Sequence, residues 1–514
     1  MQIIVSLILF LTCLTSNIQS IDVELDEIGN VPNISVSKFG YEFGPTTSKA
    51  SIAPKPWSVL EEIFPNANES ISENWGKFPV HLPISDNRID DPLSFRRLVS
   101  TLDKKSDRFS HLIKSGDSLT ILQNNPNLVH GSDYMILKYL LQDGEEWNGQ
   151  LPFKSVSAQD TMLYMNHKAF SLVINNIDKY WEPVKDVARS LEMETYVHTS
   201  CNLYLTPPKK ARAFESHMDW MDVIVLQIEG EKMWSVSPKP MIHLALPDQK
   251  RKPTQEELNS TPFEDVLLRP GDVLYIPRGH LHNATTTLDG THHSLHLTFG
   301  IEYRYDTTYE ALLHYALHLY QDEHDNMYTK DAVISRSSCL RRRKLTWVKL
   351  LHYSFSELAR QTDCGGYGEY GKKSIDNDFI CSMRESVPLH PQFQALHQQT
   401  DDDVEKKYQL ILNAVQNQVN ALDAFNFMNS LTQKGQGYID LSVNPFEYVG
   451  MKVNEPYSCE PLSRPSDINQ DTFALLAQDF TSFAKRKFLD SRQRLIDYID
   501  NDRILRWRER DGMH

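Results

Sequence analysis

His217 and Asp219 stand two residues apart in the run Glu215-Ser-His-Met-Asp-Trp-Met-Asp222. A strand points alternate side chains the same way, so both can face one pocket. A further imidazole arrives after the turn Pro277-Arg278-Gly279, where His280 and His282 are both available and share a strand face. Two imidazoles and one carboxylate on one side of a metal ion leave coordination positions open, which suits non-haem Fe(II) oxygen chemistry. Taken alone, a His-x-Asp pair is by default two polar residues on a surface strand.

The elements around the pair favour the metal. Ile224, Leu226 and Ile228 alternate with Val223, Val225 and Gln227, so the pair leads into a buried strand. Glu229-Gly230-Glu231 then predicts a hairpin return into Lys232-Met233-Trp234. Pro270-Gly271-Asp272 is a tight turn feeding the apolar strand Val273-Leu274-Tyr275-Ile276, which stops at Pro277.

These pieces resemble a family. Asn202-Leu-Tyr-Leu-Thr-Pro-Pro208, His217-Met-Asp219, Leu226-Gln-Ile-Glu-Gly-Glu-Lys-Met-Trp234, Pro270-Gly-Asp272, Pro277-Arg-Gly-His-Leu-His282 and His293-Ser-Leu-His-Leu-Thr298 follow, in order and spacing, the cupin-type JmjC oxygenases. The nearest likeness is to the ribosomal oxygenases, bifunctional lysine demethylases and histidyl-hydroxylases that act on histidine in ribosomal proteins. It runs from about Pro56 to Tyr303, more loosely to Pro388, and not beyond. The resemblance implies metal ligands His217, Asp219 and His282, the Pro-Arg-Gly-x-x-His spacing choosing His282 over His280. It implies Fe(II) with 2-oxoglutarate as cosubstrate, Lys232 as the buried cation for the distal carboxylate, and Tyr204 and Asn202 as further polar contacts. The implied reaction oxidises 2-oxoglutarate to succinate and hydroxylates a protein side chain, with histidine a candidate. Where relatives often place a hydroxyl residue this chain has Gly300, so one contact to the cosubstrate is expected to be missing. A cupin that only binds, as a scaffold, is the alternative class. The four residues His217, Asp219, His282 and Lys232 together argue for the enzyme.

The chain has 514 residues, 40% hydrophobic, with a formal charge of −15. That balance opposes general nucleic-acid binding, which needs a basic surface. The first twenty residues, MQIIVSLILFLTCLTSNIQS, are apolar and end in small and polar types, as a signal peptide does, although no positive charge precedes the apolar run. No later segment is predicted to cross a membrane. Sequons begin at Asn33, Asn68, Asn259 and Asn283; Asn33 and Asn68 in the polar lead-in are the better glycan acceptors. Without Cys13 five cysteines remain; Cys364 and Cys381 flank a Gly-rich loop and are plausible disulfide partners in an oxidising compartment. The expected address is therefore the secretory pathway, lumenal or secreted. Lysine demethylation would need nuclear access, which a real leader opposes. The basic run Arg341-Arg-Arg-Lys344 is read as a solvated helix face, with a nuclear signal as the alternative.

The expected fold is mixed β with helices: a double-stranded β-helix, or jelly roll, followed by a mainly helical C-terminal region. Its expected parts are a signal peptide (1–20), an arm (21–55), the JmjC/cupin domain (56–303), a helical region of the kind that dimerises in relatives (304–390) and a helical C-terminal domain (391–514). Within the domain, 57–64 and 95–102 are predicted helical, 118–123 a strand, and 170–191 a helical insert. Beyond it, Val404 to Met428 carries one long amphipathic stripe. The winged-helix-like ending usual in relatives is not evident, because 465–510 looks helical and charged.

Overall fold

The computed structural model describes residues 59–63, 74–83, 96–97, 108–142, 145–150, 157–209, 211–247, 250–287, 291–303, 305–330, 337–361, 379–389, 391–433 and 465–510. The leader, the arm, Asn33, Asn68 and Cys364 lie outside the described residues. The described residues all fall within one unit, Pro56–His514.

The strands are β1 (Val80–Leu82), β2 (Arg96–Arg97), β3 (Tyr134–Gln142), β4 (Glu145–Gln150), β5 (Ser171–Ile174), β6 (Thr199–Thr206), β7 (Asp222–Glu229), β8 (Lys232–Pro240), β9 (Glu264–Leu268), β10 (Val273–Ile276), β11 (His280–Thr286) and β12 (Ser294–Ile301). One sheet has the order β2-β1-β10-β7-β12-β6-β5-β3-β4, and a smaller one β11-β8-β9. Every pairing is antiparallel except β1 with β2.

β7 shows how the layers form. Its inward residues Val223 and Val225 pack with Trp234, Val236, Val266, Leu268, Leu274 and Ile276 between the two sheets. Its outward residues Ile224, Leu226 and Ile228 join a larger core that includes Val184 and Leu191. A strand buried on both faces has no polar alternation, which is why this stretch is continuously apolar.

Several local expectations change. The predicted hairpin at Gly230 is a change of sheet: β7 lies in the large sheet and β8 in the small one. Gly230 sits at φ 63°, and a Cβ there would stand 2.2 Å from the His293 carbonyl oxygen, so the crossing needs glycine. The strand expected at 118–123 is helix α2 (Ser115–Asn124), opened by the Asp117 carboxylate accepting from Lys114 N–H at 2.8 Å. Where 95–102 was expected to be helical, Arg96–Arg97 is strand, paired with Val80–His81. The insert at 170–191 is helical only in its second half. It opens as β5, turns through Asn176 at φ 48°, and becomes helix α4 (Glu182–Thr195), with Pro183 in its first turn and Val184, Val187, Ala188 and Leu191 buried. The remaining helices that precede the small sheet's β9 are α1 (Val59–Ile63), α3 (Ala158–Lys168) and α5 (Gln255–Ser260).

After the sheets come α6 (Tyr309–Lys330), α7 (Ser337–Gln361), α8 (Pro391–Leu396), α9 (Asp401–Gln418), α10 (Ala421–Gln433), α11 (Gln470–Arg486) and α12 (Phe488–Arg510). The single stripe expected from Val404 to Met428 is broken at Asn420, whose carboxamide oxygen accepts from Leu422 and Asp423 N–H and starts a new helix. Residues from Tyr309 to Ile499 share one hydrophobic core, so the two expected helical regions pack as one body. The last helix reaches back to the β-domain: Trp507 Nε1 donates to buried Glu192 at 2.5 Å, and Tyr196 to Asp500 at 2.8 Å. No described helix is long and apolar enough to cross a membrane.

Candidate metal centre

His217 and Asp219 do not lie on a strand, as the alternation suggested. They precede β7 and run beside β11. His217 N–H donates to the His282 carbonyl at 3.1 Å and His282 N–H to the His217 carbonyl at 2.8 Å. Gly279 N–H then donates to the Asp219 carbonyl at 2.8 Å. This backbone bridge to β11, and not a shared strand face, brings the three side chains together.

Their donor atoms, one imidazole nitrogen from each histidine and one Asp219 oxygen, all lie within 4.8 Å of one another; among the described residues no other such cluster occurs. Asp219 Oδ2 is 4.0 Å from His217 Nε2 and 3.6 Å from His282 Nε2. The tautomers suit a cation. His217 Nδ1 faces the Glu215 carbonyl at 2.9 Å and His282 Nδ1 the His280 carbonyl at 3.0 Å, so each ring donates there and keeps its Nε2 lone pair free. Burial lowers the His282 pKa to about 4, with His217 adding to the effect, which keeps the ring neutral. Burial pushes the Asp219 carboxyl up, but His217, His282 and Lys250 together outweigh it and hold it below the usual range. Lys250 Nζ meets Asp219 Oδ1 at 3.3 Å, leaving Oδ2 to the histidines. The His217 side chain is 34% exposed and that of His282 6%, so the centre opens on the His217 side.

The competing His280 is buried with its ring turned away, Nδ1 bonded to the Ser237 carbonyl at 2.8 Å. Its turn is pinned from below. Arg278 N–H donates to Asp222 at 2.9 Å, its guanidinium lies over Tyr303 and donates to the Arg384 carbonyl at 2.7 Å. Gly279, at φ 86°, passes so close to Ile242 that a Cβ would fall 1.7 Å from its carbonyl oxygen.

Beside the trio, β6, β8 and β12 bring a group of buried polar side chains together, with Trp234 6.1 Å from the His282 ring by centroids. Lys232 is buried, and its Nζ donates to Thr206 Oγ1 at 2.8 Å. Glu231, next to it in sequence, pairs with Arg269 instead, at 3.0 Å. Burial pushes the Lys232 pKa down to about 7. Tyr204 stacks on His296 with centroids 4.7 Å apart, and His296 meets Trp234 edge-on at 5.4 Å. Burial raises the Tyr204 pKa and, with the Lys232 charge second, keeps His296 neutral. Buried His296 Nδ1, Trp234 Nε1 and Thr298 Oγ1 have no protein partner. A buried cation without a carboxylate, beside such donors, is chemistry for an anionic ligand. Asn202 is on the same strand, but its oxygen accepts from Asn176 N–H at 2.9 Å. At Gly300 a Cβ would lie 2.3 Å from Met221 Sδ, so that methionine fills the place of a side chain.

Thr206 and Trp234 were missed by sequence reasoning, though Thr206 continues the alternation Asn202, Tyr204. Cys381 is disulfide-bonded and Cys201 is a buried free thiol. Asn259 is exposed, whereas Asn283 is buried and its carboxamide is bonded on both sides, to Arg212 at 2.7 Å and Ser216 at 3.1 Å. Expressed through the secretory pathway, the protein is expected to carry no sugar on Asn283; glycopeptide mapping that finds it there contradicts this packing.

Two antiparallel sheets closing on a two-histidine, one-carboxylate cluster define the class: a cupin-type double-stranded β-helix carrying a trio that could hold a metal ion. Residues 178–308, a stretch spanning all three ligand candidates, match the family model of the JmjC domain. The bifunctional lysine-specific demethylase and histidyl-hydroxylase NO66 of Aedes aegypti is 39% identical over 115 residues, 22% of this chain and 18% of that protein. The protein of the same description from Drosophila grimshawi is 33% identical over 145 residues, 28% and 20%. The matches thus span about a fifth of these curated relatives' length. Among solved structures, the Escherichia coli ribosomal oxygenase YcfD with cobalt and 2-oxoglutarate is 20% identical, with a TM-score of 0.31 over 51% of this chain and 57% of that one.

Proposed function

We propose that this protein is an Fe(II)- and 2-oxoglutarate-dependent protein hydroxylase. The observation that carries the proposal is the conjunction of the His217–Asp219–His282 cluster with a buried Lys232 that has no carboxylate partner. Fe(II), with 2-oxoglutarate and oxygen, supplies oxidative decarboxylation to succinate coupled to hydroxylation of a substrate C–H bond. His217 and His282 offer Nε2 and Asp219 offers Oδ2, which fits the neutral-imidazole and carboxylate preference of that ion. Lys232, with Thr206 and Tyr204, would hold the distal carboxylate, with His296 and Trp234 packed beside them. The test is succinate release from 2-oxoglutarate by the Fe(II)-loaded chain, stimulated by a peptide that gains one oxygen. Its absence across histidine-containing peptides, with the site loaded, would favour the non-catalytic cupin reading.

The substrate is a protein side chain, with histidine the first candidate because the NO66 relatives are named as histidyl-hydroxylases. The address is the secretory pathway. It is supported by the apolar leader, by the sequons and by the disulfide at Cys381, a bond that persists in oxidising compartments. Loss of the leader and endoglycosidase-sensitive sugar on the expressed chain would support it; an uncleaved, sugar-free nuclear protein would contradict it and restore demethylation as a reading. A homodimer through the helical region 304–390 belongs to the same proposal.

Lys232 adds a proton signature. In the ligand-free protein it loses its proton near pH 7, and a bound carboxylate restores the charge. Binding of 2-oxoglutarate to Co(II)-loaded protein at about pH 8 is therefore expected to take up close to one proton, and none well below neutrality. Calorimetry in buffers of different ionisation enthalpy measures this; heats at about pH 8 that do not change with the buffer would contradict it.

A further inference from the structure

Residues 211–219 run antiparallel to β11 and are fastened to it at three places. Thr286 N–H donates to the Ala211 carbonyl at 3.0 Å, His217 and His282 exchange both backbone bonds, and Gly279 N–H meets the Asp219 carbonyl. Between the first two fastenings, residues 212–216 face only 283–285, so the ligand-bearing segment carries two surplus residues and must bulge. Tyr139 N–H donates to the Arg212 carbonyl at 2.9 Å on the other side, but toward β11 the surplus lacks ladder bonds, and it sits directly before His217.

On the β11 side the bulge is closed by one side chain, while Glu215 within it pairs outward with Lys252 at 2.5 Å. Asn283 Oδ1 accepts from Arg212 Nη2 at 2.7 Å, and Asn283 Nδ2 donates to Ser216 Oγ at 3.1 Å, so the carboxamide grips both ends of the surplus. Arg212 is braced over the Tyr139 ring, 5.3 Å from its centroid. At the apex Phe214 packs against Tyr204 and the His217 ring, with centroids 6.2 and 5.9 Å away. The bulge also presents the Glu215 carbonyl to His217 Nδ1 at 2.9 Å, the bond that fixes which nitrogen of that ring keeps its lone pair.

We propose that Asn283 is a positioning residue: by locking the 212–216 bulge it fixes the tautomer and direction of His217. The proposal rests on His217, Asp219 and His282 being the metal ligands. Asn283 is not one of the cluster's donors; it acts through Ser216, Arg212 and the Glu215 carbonyl. An aspartate in its place still accepts from Arg212 and receives the Ser216 hydroxyl, so it should serve; an alanine loses both contacts.

The test is Co(II) titration of the purified chain, read by d–d absorption, for wild type, Asn283→Ala and Asn283→Asp. Removing a partner that orients a ligand costs about 10–100-fold in metal affinity, and that loss, with an altered cobalt spectrum, is expected for Asn283→Ala. Asn283→Asp should restore both affinity and spectrum. If Asn283→Ala fails to fold, Ser216→Ala carries the test, with the same spectral change expected in smaller degree. Wild-type affinity and spectrum in Asn283→Ala, or in Ser216→Ala where that stands in for it, would overturn the proposal. So would an Asn283→Asp variant as weak as alanine. A wild-type chain that binds no Co(II) would instead bring down the metal assignment itself.

Discussion

Alanine in place of His217, Asp219 or His282 is expected to abolish iron binding and turnover while leaving the protein folded. Orienting partners alone are worth about 10–100-fold in metal affinity, so losing a ligand should cost at least about 100-fold. The three losses should look alike because their donor atoms belong to one cluster within 4.8 Å. Folding should survive, since the sandwich between the sheets is held by Val225, Trp234, Leu268 and Leu274, none of which depends on the trio. Circular dichroism with metal titration checks both halves. His280→Ala should keep metal binding, because its ring is committed to the Ser237 carbonyl. A His280→Ala variant that loses the metal, beside a His282→Ala variant that keeps it, would reverse the assignment.

Lys232→Met is expected to act in opposite directions on ligand and fold. Losing a charge-assisted contact at a buried lysine costs about 2–3 kcal/mol, roughly 30- to 150-fold in 2-oxoglutarate affinity. The ligand-free protein, relieved of a buried ammonium bonded only to Thr206, should melt at a higher temperature. The sign with pH follows from the same burial. Between pH 7 and the unfolded lysine value of 10.5 the unfolded chain holds a proton that the folded one releases, so ligand-free stability rises with pH across that window. Below it both states are protonated and the contribution is flat. The methionine variant should lose this slope; unchanged 2-oxoglutarate affinity in that variant would remove Lys232 from the site.

Much of the site was legible in the sequence because its chemistry resides in residue types and short spacings. Spacing alone left His280 and His282 open and Lys232 a surface lysine; the family resemblance pointed to His217, Asp219, His282 and Lys232, and the structure brings the first three together and buries the fourth. Their carriers were less legible. A period of two announces a strand but not its sheet, so β7 and β8 looked like a hairpin although the chain crosses between sheets at Gly230. The same period put His217 and Asp219 on a strand that does not exist, because the pairing with β11 is a contact distant in sequence. The long stripe after Val404 hid a break, since Asn420 caps a helix by a side-chain bond that periodicity does not register. The neighbour in sequence also misled at Lys232: Glu231 turns to Arg269, and the ammonium is left for something else. Asn283 drew notice only as a sequon, because its partners Arg212 and Ser216 stand 71 and 67 positions away.

The most direct test of the central claim is anaerobic addition of Fe(II) and then 2-oxoglutarate to the purified chain, followed by visible absorption. Chelation of the keto acid to an iron held by two imidazoles and one carboxylate is expected to give a metal-to-ligand charge-transfer band. The band should be missing in Asp219→Ala, need far more 2-oxoglutarate in Lys232→Met, and decay to stoichiometric succinate when oxygen is admitted. A chain that binds Fe(II) but never develops the band, at any 2-oxoglutarate concentration, would contradict the account.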